Sequence, residues 1–573
     1  MATYYWVGGN GTWSGTGNTQ FAITSGGVPT ALNPTNADIV NFDANSGTAA
    51  TVTVTSTAVS LNTIVNKADI NLSLSGSPTL CTSVGTLTLT TGTITLNNNT
   101  LTVGLWTSDN SNVRSIAFGT GNITVTGNAN FVILMGTMTN FTYTGTPTFN
   151  CTYAGSTGTR NIRLGGTAGA TESNVMSVNI SAGTDIISLG TNLKNLNYTG
   201  FAGTISNVTF NIYGNLTYPA GSTISAGSSP LSFLATSGTQ LLTTNNNTLD
   251  FPITKDGAGT LKLQDNLTAG LSRTFTLTTG TIDLNTNKTL TIGPFTSSNS
   301  NVRSILFGTS GKIIVGANTA TVWQMSTVIN FTYTGTSWVE FNYAGSTGTR
   351  TFGFTTGATE ANALNIRISA GSDTLSLGGS VYRDLDFTGF SGTVSNSVLT
   401  IYGSLTVSSG LTWTAGASAM TFAATSGSKT ITTNTKTLDF PITFNGIGGT
   451  WICQDAITLG ATRALTMING TVKLKSGTTN TVGSIVTSGT NIKYLASSTP
   501  GSQATISDVS GVNSVSYLSI QDSFATGGAT WDAFYSNGNL DAGNNTNWEF
   551  GESPVLGNEI EYKLRSFTEY RRF

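Results

Sequence analysis

Residues 259–284 read GTLKLQDNLTAGLSRTFTLTTGTIDL, and residues 449–474 repeat the pattern as GTWICQDAITLGATRALTMINGTVKL. The two stretches begin 190 residues apart, and apolar residues alternate with Thr in each. Alternation with a period of two is typical of strands that bury one face. A long internal repeat made of such strands predicts an all-β repeat architecture.

Other motifs recur at a nearly constant offset of 188–190 residues. They are SNVRSI (111–116 and 300–305), FTYTGT (141–146 and 331–336), YAGSTGTR (153–160 and 343–350), ISAG (180–183 and 368–371) and TLDFPIT (248–254 and 437–443). The constant offset indicates a duplicated unit of about 189 residues, followed by a third copy that stops early. One solenoid coil has roughly 20–45 residues, so each unit must contain several coils.

Short strands and turns alternate within each unit. The runs 86–90 and 93–96 alternate Thr with Leu or Ile, and Gly92 and Asn97–Asn99 interrupt them where a positive φ is tolerated. We therefore expect an elongated β-solenoid that resembles a parallel β-helix and has aromatic-rich end caps. Tandem β-sandwich domains are the alternative, because 189 residues could also hold a sandwich.

The repeat and its aromatic flanks predict the domain organisation. It consists of an N-terminal cap (1–67), repeat unit 1 (68–256), repeat unit 2 (257–445), a partial third repeat (446–500), a C-terminal cap (501–550) and a charged tail (551–573).

Charge and histidine content exclude several functions. The chain has 24 Lys and Arg against 26 Asp and Glu, which gives no basic field for nucleic acid. It has no histidine, so Ser-His-Asp triads and His-ligated metals are excluded. We predict no cofactor and no metal ligand. The cysteines, Cys81, Cys151 and Cys453, are expected to be small core residues, because Phe341 and Leu263 stand opposite the last two.

Without histidine, catalysis would need a carboxylate pair, as in glycoside hydrolysis. Four acids are retained in both units: Glu172 and Glu360, Asp185 and Asp373, Asp250 and Asp439, Asp265 and Asp455. Retention in both copies favours a structural role, since an active site usually arises once on a scaffold. We therefore predict no catalytic residue. The retained arginines, Arg114 with Arg303 and Arg160 with Arg350, are the expected partners of these acids.

The two termini predict how the chain reaches its site of action. The N-terminus has no basic segment, apolar segment or cleavage site of a secretory leader. No apolar run approaches the roughly 20 residues of a membrane helix, so membrane insertion is not expected. Two interpretations of the charged tail stay open: a solvated terminal segment, or a docking segment that binds a partner protein through Tyr562, Leu564, Arg565, Phe567, Tyr570, Arg571 and Phe573.

Five stretches of the chain are similar to known proteins. They are the opening YYWVGGNGTW (4–13), the unit SSNSNVRSI (297–305), the long unit 438–474, and the closing YLSIQDSFATGGATW (517–531) and DAGNNTNWEF (541–550). They resemble repeat-rich virion proteins of tailed phages, marine and cyanobacterial phages in particular. The resemblance implies a fibre, spike or capsid appendage, commonly a homotrimer, that joins other virion proteins and contacts the host surface, including its polysaccharide. It implies a virion location after assembly in the host cytoplasm. A tailspike depolymerase and a bacterial surface adhesin are the alternatives.

Overall fold

The computed structural model describes residues 1–335, 338–356 and 358–551. The chain is a β-solenoid of about 22 turns with clusters of aromatic residues, as the repeat predicts. Its only helical element among the described residues is a 3-10 turn, Tyr535–Asn537. The alternative of tandem β-sandwich domains is therefore wrong.

The first twenty strands, β1 to β20 in chain order, are Thr3–Trp6, Gly11–Trp13, Phe21–Ala22, Ile39–Phe42, Thr51–Val54, Asn62–Leu74, Thr86–Thr95, Thr100–Val103, Leu105–Thr107, Arg114–Gly119, Asn122–Val125, Phe131–Thr137, Phe141–Gly145, Thr148–Cys151, Thr159–Ala168, Ser177–Ile180, Ile186–Leu189, Thr191–Leu193, Leu196–Asn197 and Thr204–Ile205.

Strands β21 to β40 are Phe210–Ile212, Leu216–Thr217, Thr223–Ile224, Leu231–Phe233, Thr239–Thr243, Thr248–Leu249, Ile253–Leu263, Leu267–Ala269, Phe275–Asp283, Thr289–Ile292, Phe295–Thr296, Arg303–Leu306, Lys312–Val315, Thr321–Thr327, Phe331–Thr334, Val339–Phe341, Thr349–Thr356, Ile366–Ile368, Thr374–Ser376 and Val381–Tyr382.

Strands β41 to β60 are Leu385–Asp386, Thr393–Val394, Leu399–Ile401, Leu405–Thr406, Thr412–Trp413, Met420–Phe422, Ser428–Thr432, Thr437–Leu438, Ile442–Cys453, Thr458–Leu459, Ala464–Leu474, Thr479–Thr481, Ser484–Thr487, Lys493–Ser497, Ala504–Asp508, Val512–Ser514, Leu518–Gln521, Ser523–Gly527, Thr530–Asp532 and Leu540–Asp541.

The coils stack through parallel strand pairs. A single antiparallel pair of strands, β1 with β3, occurs among the described residues, at the start of the chain. Leu72 lies opposite Ile94, and Ile94 lies opposite Ile116, so successive turns place apolar side chains directly above one another. All three are buried. The period-two pattern of the sequence is thus the inward and outward alternation of the coils.

One predicted boundary differs in the structure. The runs 86–90 and 93–96 were expected as two strands, but β7 continues from Thr86 through Gly92 to Thr95. Gly92 has a φ of 101°, and a Cβ at this position would lie 2.6 Å from the carbonyl oxygen of Lys67. Glycine therefore bends the strand without ending it, with a shift of register against the strand beneath. Asn97 and Asn98 adopt positive φ values, as predicted.

Aromatic clusters fill the first and the last described coils. Near the N-terminus, the ring of Phe21 lies 5.2 Å from that of Trp6 and 5.9 Å from that of Trp13. Near the C-terminus, the rings of Trp531 and Trp548 lie 5.1 Å apart. Bulky rings of this kind bury large apolar areas and so stabilise these coils.

The described residues divide into two compact units. One consists mainly of residues 1–297, and the other mainly of residues from 338 onward. The domain limits proposed from the sequence stay predictions.

Three coils of the chain are equivalent, and they carry the strands that matter for the site. In each, a glycine with positive φ (Gly92, Gly280 or Gly470) lies in β7, β29 or β51. The next strand of the same face is β10, β32 or β54, and these strands begin with Arg114, Arg303 and Lys493. The third copy therefore extends beyond Leu474 and includes Asn491–Leu495 as the counterpart of NVRSI.

Candidate functional site

Arg160 and Asp185 form a buried ion pair with two hydrogen bonds. The Nε and Nη2 groups donate to the two carboxylate oxygens over 2.7 and 2.8 Å. Arg350 and Asp373 reproduce both bonds with the same distances in the second unit. Each of these side chains is almost fully buried, so the predicted pairing is confirmed at these positions.

Aromatic rings enclose both guanidinium groups. The guanidinium carbon of Arg160 lies 5.4 Å from the ring centre of Tyr153 and 5.7 Å from that of Phe201. Tyr343 and Phe390 stand in the same places around Arg350, at 5.3 and 5.9 Å. The cation thus has a carboxylate in its plane and rings over its faces, which compensates for the loss of water.

Glu172 and Glu360 accept equivalent hydrogen bonds from a threonine in the two units. The backbone N–H and hydroxyl group of Thr236 donate to Glu172 over 3.1 and 2.6 Å. Those of Thr425 donate to Glu360 over the same two distances. Each glutamate therefore ties its own coil to one more than sixty residues further along the chain.

The third retained pair of acids binds arginine at the surface. Arg273 donates to Asp250 over 2.9 Å, and Arg463 donates to Asp439 over 2.7 Å. The carboxylates of Asp250 and Asp439 remain about two-fifths exposed, at 40% and 42%. Each of these aspartates therefore forms an ion pair, with an arginine other than the retained Arg114, Arg160, Arg303 and Arg350.

The fourth retained pair of acids, Asp265 and Asp455, caps a buried threonine in the preceding coil. The backbone N–H of Thr244 donates to Asp265 over 2.9 Å, and the N–H of Thr433 donates to Asp455 over the same distance. Both threonine hydroxyls donate to the same carboxylate oxygens. All four pairs of retained acids are thus engaged in contacts within the repeat.

The predicted pairing of Arg114 with a retained acid is wrong. Its guanidinium lies buried among backbone oxygens and donates to those of Asn112, Thr139 and Ser108 over 2.9, 3.0 and 3.0 Å. Arg303 occupies the equivalent site and donates to the backbone oxygen of Asn301. A buried cation can be satisfied by carbonyl groups of adjacent turns, and such groups leave no signal in the sequence.

Lys493 takes the place of these arginines in the third copy. Its ammonium donates to the backbone oxygen of Gly489 over 2.8 Å and lies 5.6 Å from the ring centre of Tyr517. Burial lowers the pKa of Lys493 below its ordinary value. The strands around Lys493 pair in the same order as those around the two arginines. The outward-facing residue next to it, Tyr494, differs from the serine of the other copies.

The cysteines are buried and free, as expected of core residues. Burial raises the pKa of Cys81 to about 11 and that of Cys151 and Cys453 to about 12. Thiolates are therefore suppressed at neutral pH, and nucleophilic chemistry at these positions is disfavoured. The described part of the chain holds no group of three or more His, Cys, Asp or Glu side chains arranged to bind a metal.

The outer surface of the third copy carries the most distinctive site. Thr471, Tyr494 and Ser519 lie side by side on β51, β54 and β57. Lys473, Ala496 and Gln521 form the next row on the same strands. The small Ala496 and Ser519 leave a hollow of about 250 Å³ beside the ring of Tyr494.

A second hollow of about 320 Å³ lies on the other side of Tyr494, beside Ile447 and Gly470. Asn469 and Asn491 line it as well. The two hollows share Thr471 and Tyr494, and we call the combined surface the Tyr494 groove. Tyr494 is 49% exposed and stands between them.

Sequence reasoning missed the Tyr494 groove. The available signal was the match of NIKYL (491–495) to NVRSI (112–116 and 301–305), in which Tyr494 replaces a serine. Only the first residue is identical, so this match within the partial third repeat (446–500) was not recognised. The predicted docking residues Tyr562, Leu564, Arg565, Phe567, Tyr570, Arg571 and Phe573 lie outside the described residues.

Comparison with protein-family models, curated proteins and solved structures finds no match for this chain. The described residues contain no helix with the length and apolar character that crossing a membrane requires.

Proposed function

We propose that the chain is a virion structural protein, forming a fibre, spike or capsid appendage of a phage that contacts the host surface without catalysis. The observation that carries this proposal is the use of all four pairs of retained acids. Each pair accepts equivalent internal hydrogen bonds in both units, as Asp185 from Arg160 and Asp373 from Arg350 illustrate.

The chemistry of these contacts supports a structural role. A carboxylate whose two oxygen atoms both accept hydrogen bonds from a buried guanidinium is already fully engaged within the protein. One whose oxygen atoms face the core has no path to a substrate. Glycosidic cleavage needs one acid that carries a proton and a second that attacks or activates water, both facing the same bond. The contacts of the retained acids therefore favour a structural role, in which the acids hold neighbouring coils together, over a catalytic one.

The repeat itself supports a role in a particle. Parallel coils satisfy their backbone groups by pairing with the turn above and the turn below, so length can be added by duplication without a new core. The resemblance to repeat-rich virion proteins supports the same role. A homotrimer, contact with other virion proteins and a location on the particle surface belong to this proposal.

A tailspike depolymerase is the competing function, because the carboxylates of Asp250 and Asp439 are partly exposed. These two acids occupy equivalent positions in successive copies, and each is already paired with an arginine. The ion pairs argue against a catalytic role for these two acids. If the chain did cleave a glycosidic bond, however, it would need an exposed carboxylate, and these two are partly exposed. A bacterial surface adhesin is the other alternative.

Purified particles encoded by the same genome provide the test. We expect an antibody against the chain to label them, and the purified chain to slow their adsorption to host cells in proportion to its concentration. Absence of the chain from purified particles would overturn the virion assignment. Presence without any effect on adsorption would remove the host contact and leave only an internal structural role.

A further inference from the structure

We propose that the Tyr494 groove is a polysaccharide-binding site, an inference that rests on the proposed function and names the class of ligand. The ring of Tyr494 would lie against one sugar ring, and the side chains around it would bond the hydroxyl groups of neighbouring sugars. Three independent features of the third copy support this assignment.

The first feature is the replacement of a small side chain by an exposed ring. The positions equivalent to Tyr494 hold Ser115 and Ser304, which lie on the same face of β10 and β32. Ser115 is bonded to Thr93 over 2.8 Å, in a ladder of hydroxyl groups along the coils. Tyr494 is 49% exposed, so the third copy presents an aromatic ring where the other two copies of this chain present serine hydroxyl groups. Tyrosine suits a ligand that offers both C–H surfaces and hydroxyl groups.

The second feature is an amide ladder beside the ring. Asn469 donates to Asn445 over 2.8 Å, and Asn491 donates to Asn469 over 2.9 Å. Among the described residues, the amide nitrogen of Asn445 and the amide oxygen of Asn491 make no hydrogen bond, so the ladder ends in a free donor and a free acceptor. A sugar hydroxyl both donates and accepts, and can use either end. In the equivalent positions to Asn469 the other copies have Thr91 and Thr279.

The third feature is a lysine that lacks the ion pair found in the second copy. In the second copy Lys262 lies opposite Asp283, with 3.5 Å between the ammonium and a carboxylate oxygen. In the third copy Ile452 and Lys473 take these two positions. Lys473 therefore lies opposite the apolar Ile452, where the second copy has an ion pair, and it lines the hollow together with Gln521. The groove gains donors that are suited to hydroxyl or carboxylate oxygens of a glycan.

The geometry favours a glycan over a peptide. A peptide bound by strand addition needs a free sheet edge. Here β54 is paired with β51 on one side and with β57 on the other, so no backbone edge is open along the groove. Adjacent coils are about 4.8 Å apart, as in any sheet, which is close to the length of one sugar ring along a chain. Successive sugars can therefore meet successive coils.

Affinity electrophoresis of the full chain in gels containing dextran, mannan, alginate or xanthan provides the test. We expect retardation by at least one of them, and about tenfold weaker retention of Tyr494→Ser, because an aromatic contact of this kind accounts for roughly one order of magnitude in affinity. Asn469→Thr should weaken retention in the same gel. Both substitutions restore the residue type of the other copies, so folding is preserved. Tyr5→Ser, at the far end of the sequence, serves as the matched control.

The outcomes separate this inference from the proposed function. A chain that none of the four polysaccharides retards, or a Tyr494→Ser variant retained as strongly as the wild type, overturns the binding site. In the latter case the proposed function still stands, with a different contact surface. New reducing ends in the gel matrix that accumulate with time would instead overturn the non-catalytic function, whether or not Tyr494 matters.

Discussion

The guanidinium of Arg160 and the carboxylate of Asp185 meet in a two-point ion pair that is almost completely excluded from water. The pair joins β15 to the turn before β17, and the second unit repeats it with Arg350 and Asp373. Taking two charges out of water costs several kcal/mol per ion, which only good geometry and further contacts offset. Such a pair is therefore sensitive to the loss of either partner.

We expect Asp185→Asn to lower the free energy of unfolding by about 3–5 kcal/mol, because a buried guanidinium is left without its counter-ion. Asp373→Asn should act similarly in the second unit. Urea unfolding followed by circular dichroism measures the change, with Lys262→Gln as the control at a more exposed ion pair. Equal, small effects for Asp185→Asn and Lys262→Gln would contradict the structural role of the buried pair.

A second prediction concerns pH. Lys255 is fully buried where the equivalent position has Phe444, and burial lowers the pKa of Lys255 to about 8. The unfolded chain holds this proton up to about 10.5, so between these pH values the unfolded state binds more protons and stability rises with pH.

Lys255→Met removes this dependence. We expect the variant to be more stable than the wild type at pH 7, and the difference to shrink by up to about 3 kcal/mol as the pH approaches 10.5. Because the comparison is between two chains at each pH, the titration of buried tyrosines cancels. A difference in unfolding free energy that stays constant from pH 7 to 10.5 would show that burial does not lower the pKa of Lys255.

A third prediction uses two glycines with similar backbone angles. Gly280 has a φ of 82°, and a Cβ there would lie 2.1 Å from the carbonyl oxygen of Gly257. Gly221 has a φ of 74°, with no atom within 4 Å of the added Cβ. Gly221→Ala should destabilise by about 1 kcal/mol from backbone strain alone. Gly280→Ala should cost at least about 2 kcal/mol more, because the coils must separate. Similar melting temperatures for the two variants would contradict the close stacking of coils.

A fourth prediction concerns the thiols. Burial and pKa values of about 11 to 12 should leave Cys81, Cys151 and Cys453 unreactive toward a disulfide reagent at pH 8 in the folded chain. In denaturant all three should react. A thiol that reacts stoichiometrically before unfolding would place that cysteine outside the core.

The sequence predicted the fold from features that depend on local physics. Alternation around Leu87 and Ile94 indicated which side chains point inward, and the positive φ of Asn97 followed from the turn chemistry of asparagine. Retention of Asp185 in both units indicated a structural acid, because a residue that holds a coil recurs with the coil.

The contacts of Arg114 and the Tyr494 groove depend on which residues of adjacent coils lie opposite each other. Period-two alternation does not specify this register, so the sequence did not predict them. Arg114 donates to the backbone oxygen of Thr139, one turn away, and no side chain marks that contact. The Tyr494 groove depends on Ser519 and Ala496 being small in adjacent turns, which becomes visible only when Tyr494 is known to lie beside Ser519.

The central claim is that the retained acids hold coils together and that the chain binds a surface without cleaving it. The most direct test is the time course of reducing-end release from dextran, mannan, alginate and xanthan incubated with the full chain. We expect release to stay at the level of a heat-denatured control over many hours, including for any polysaccharide that the chain binds. Sustained release that disappears in Asp250→Asn or Asp439→Asn would contradict the account.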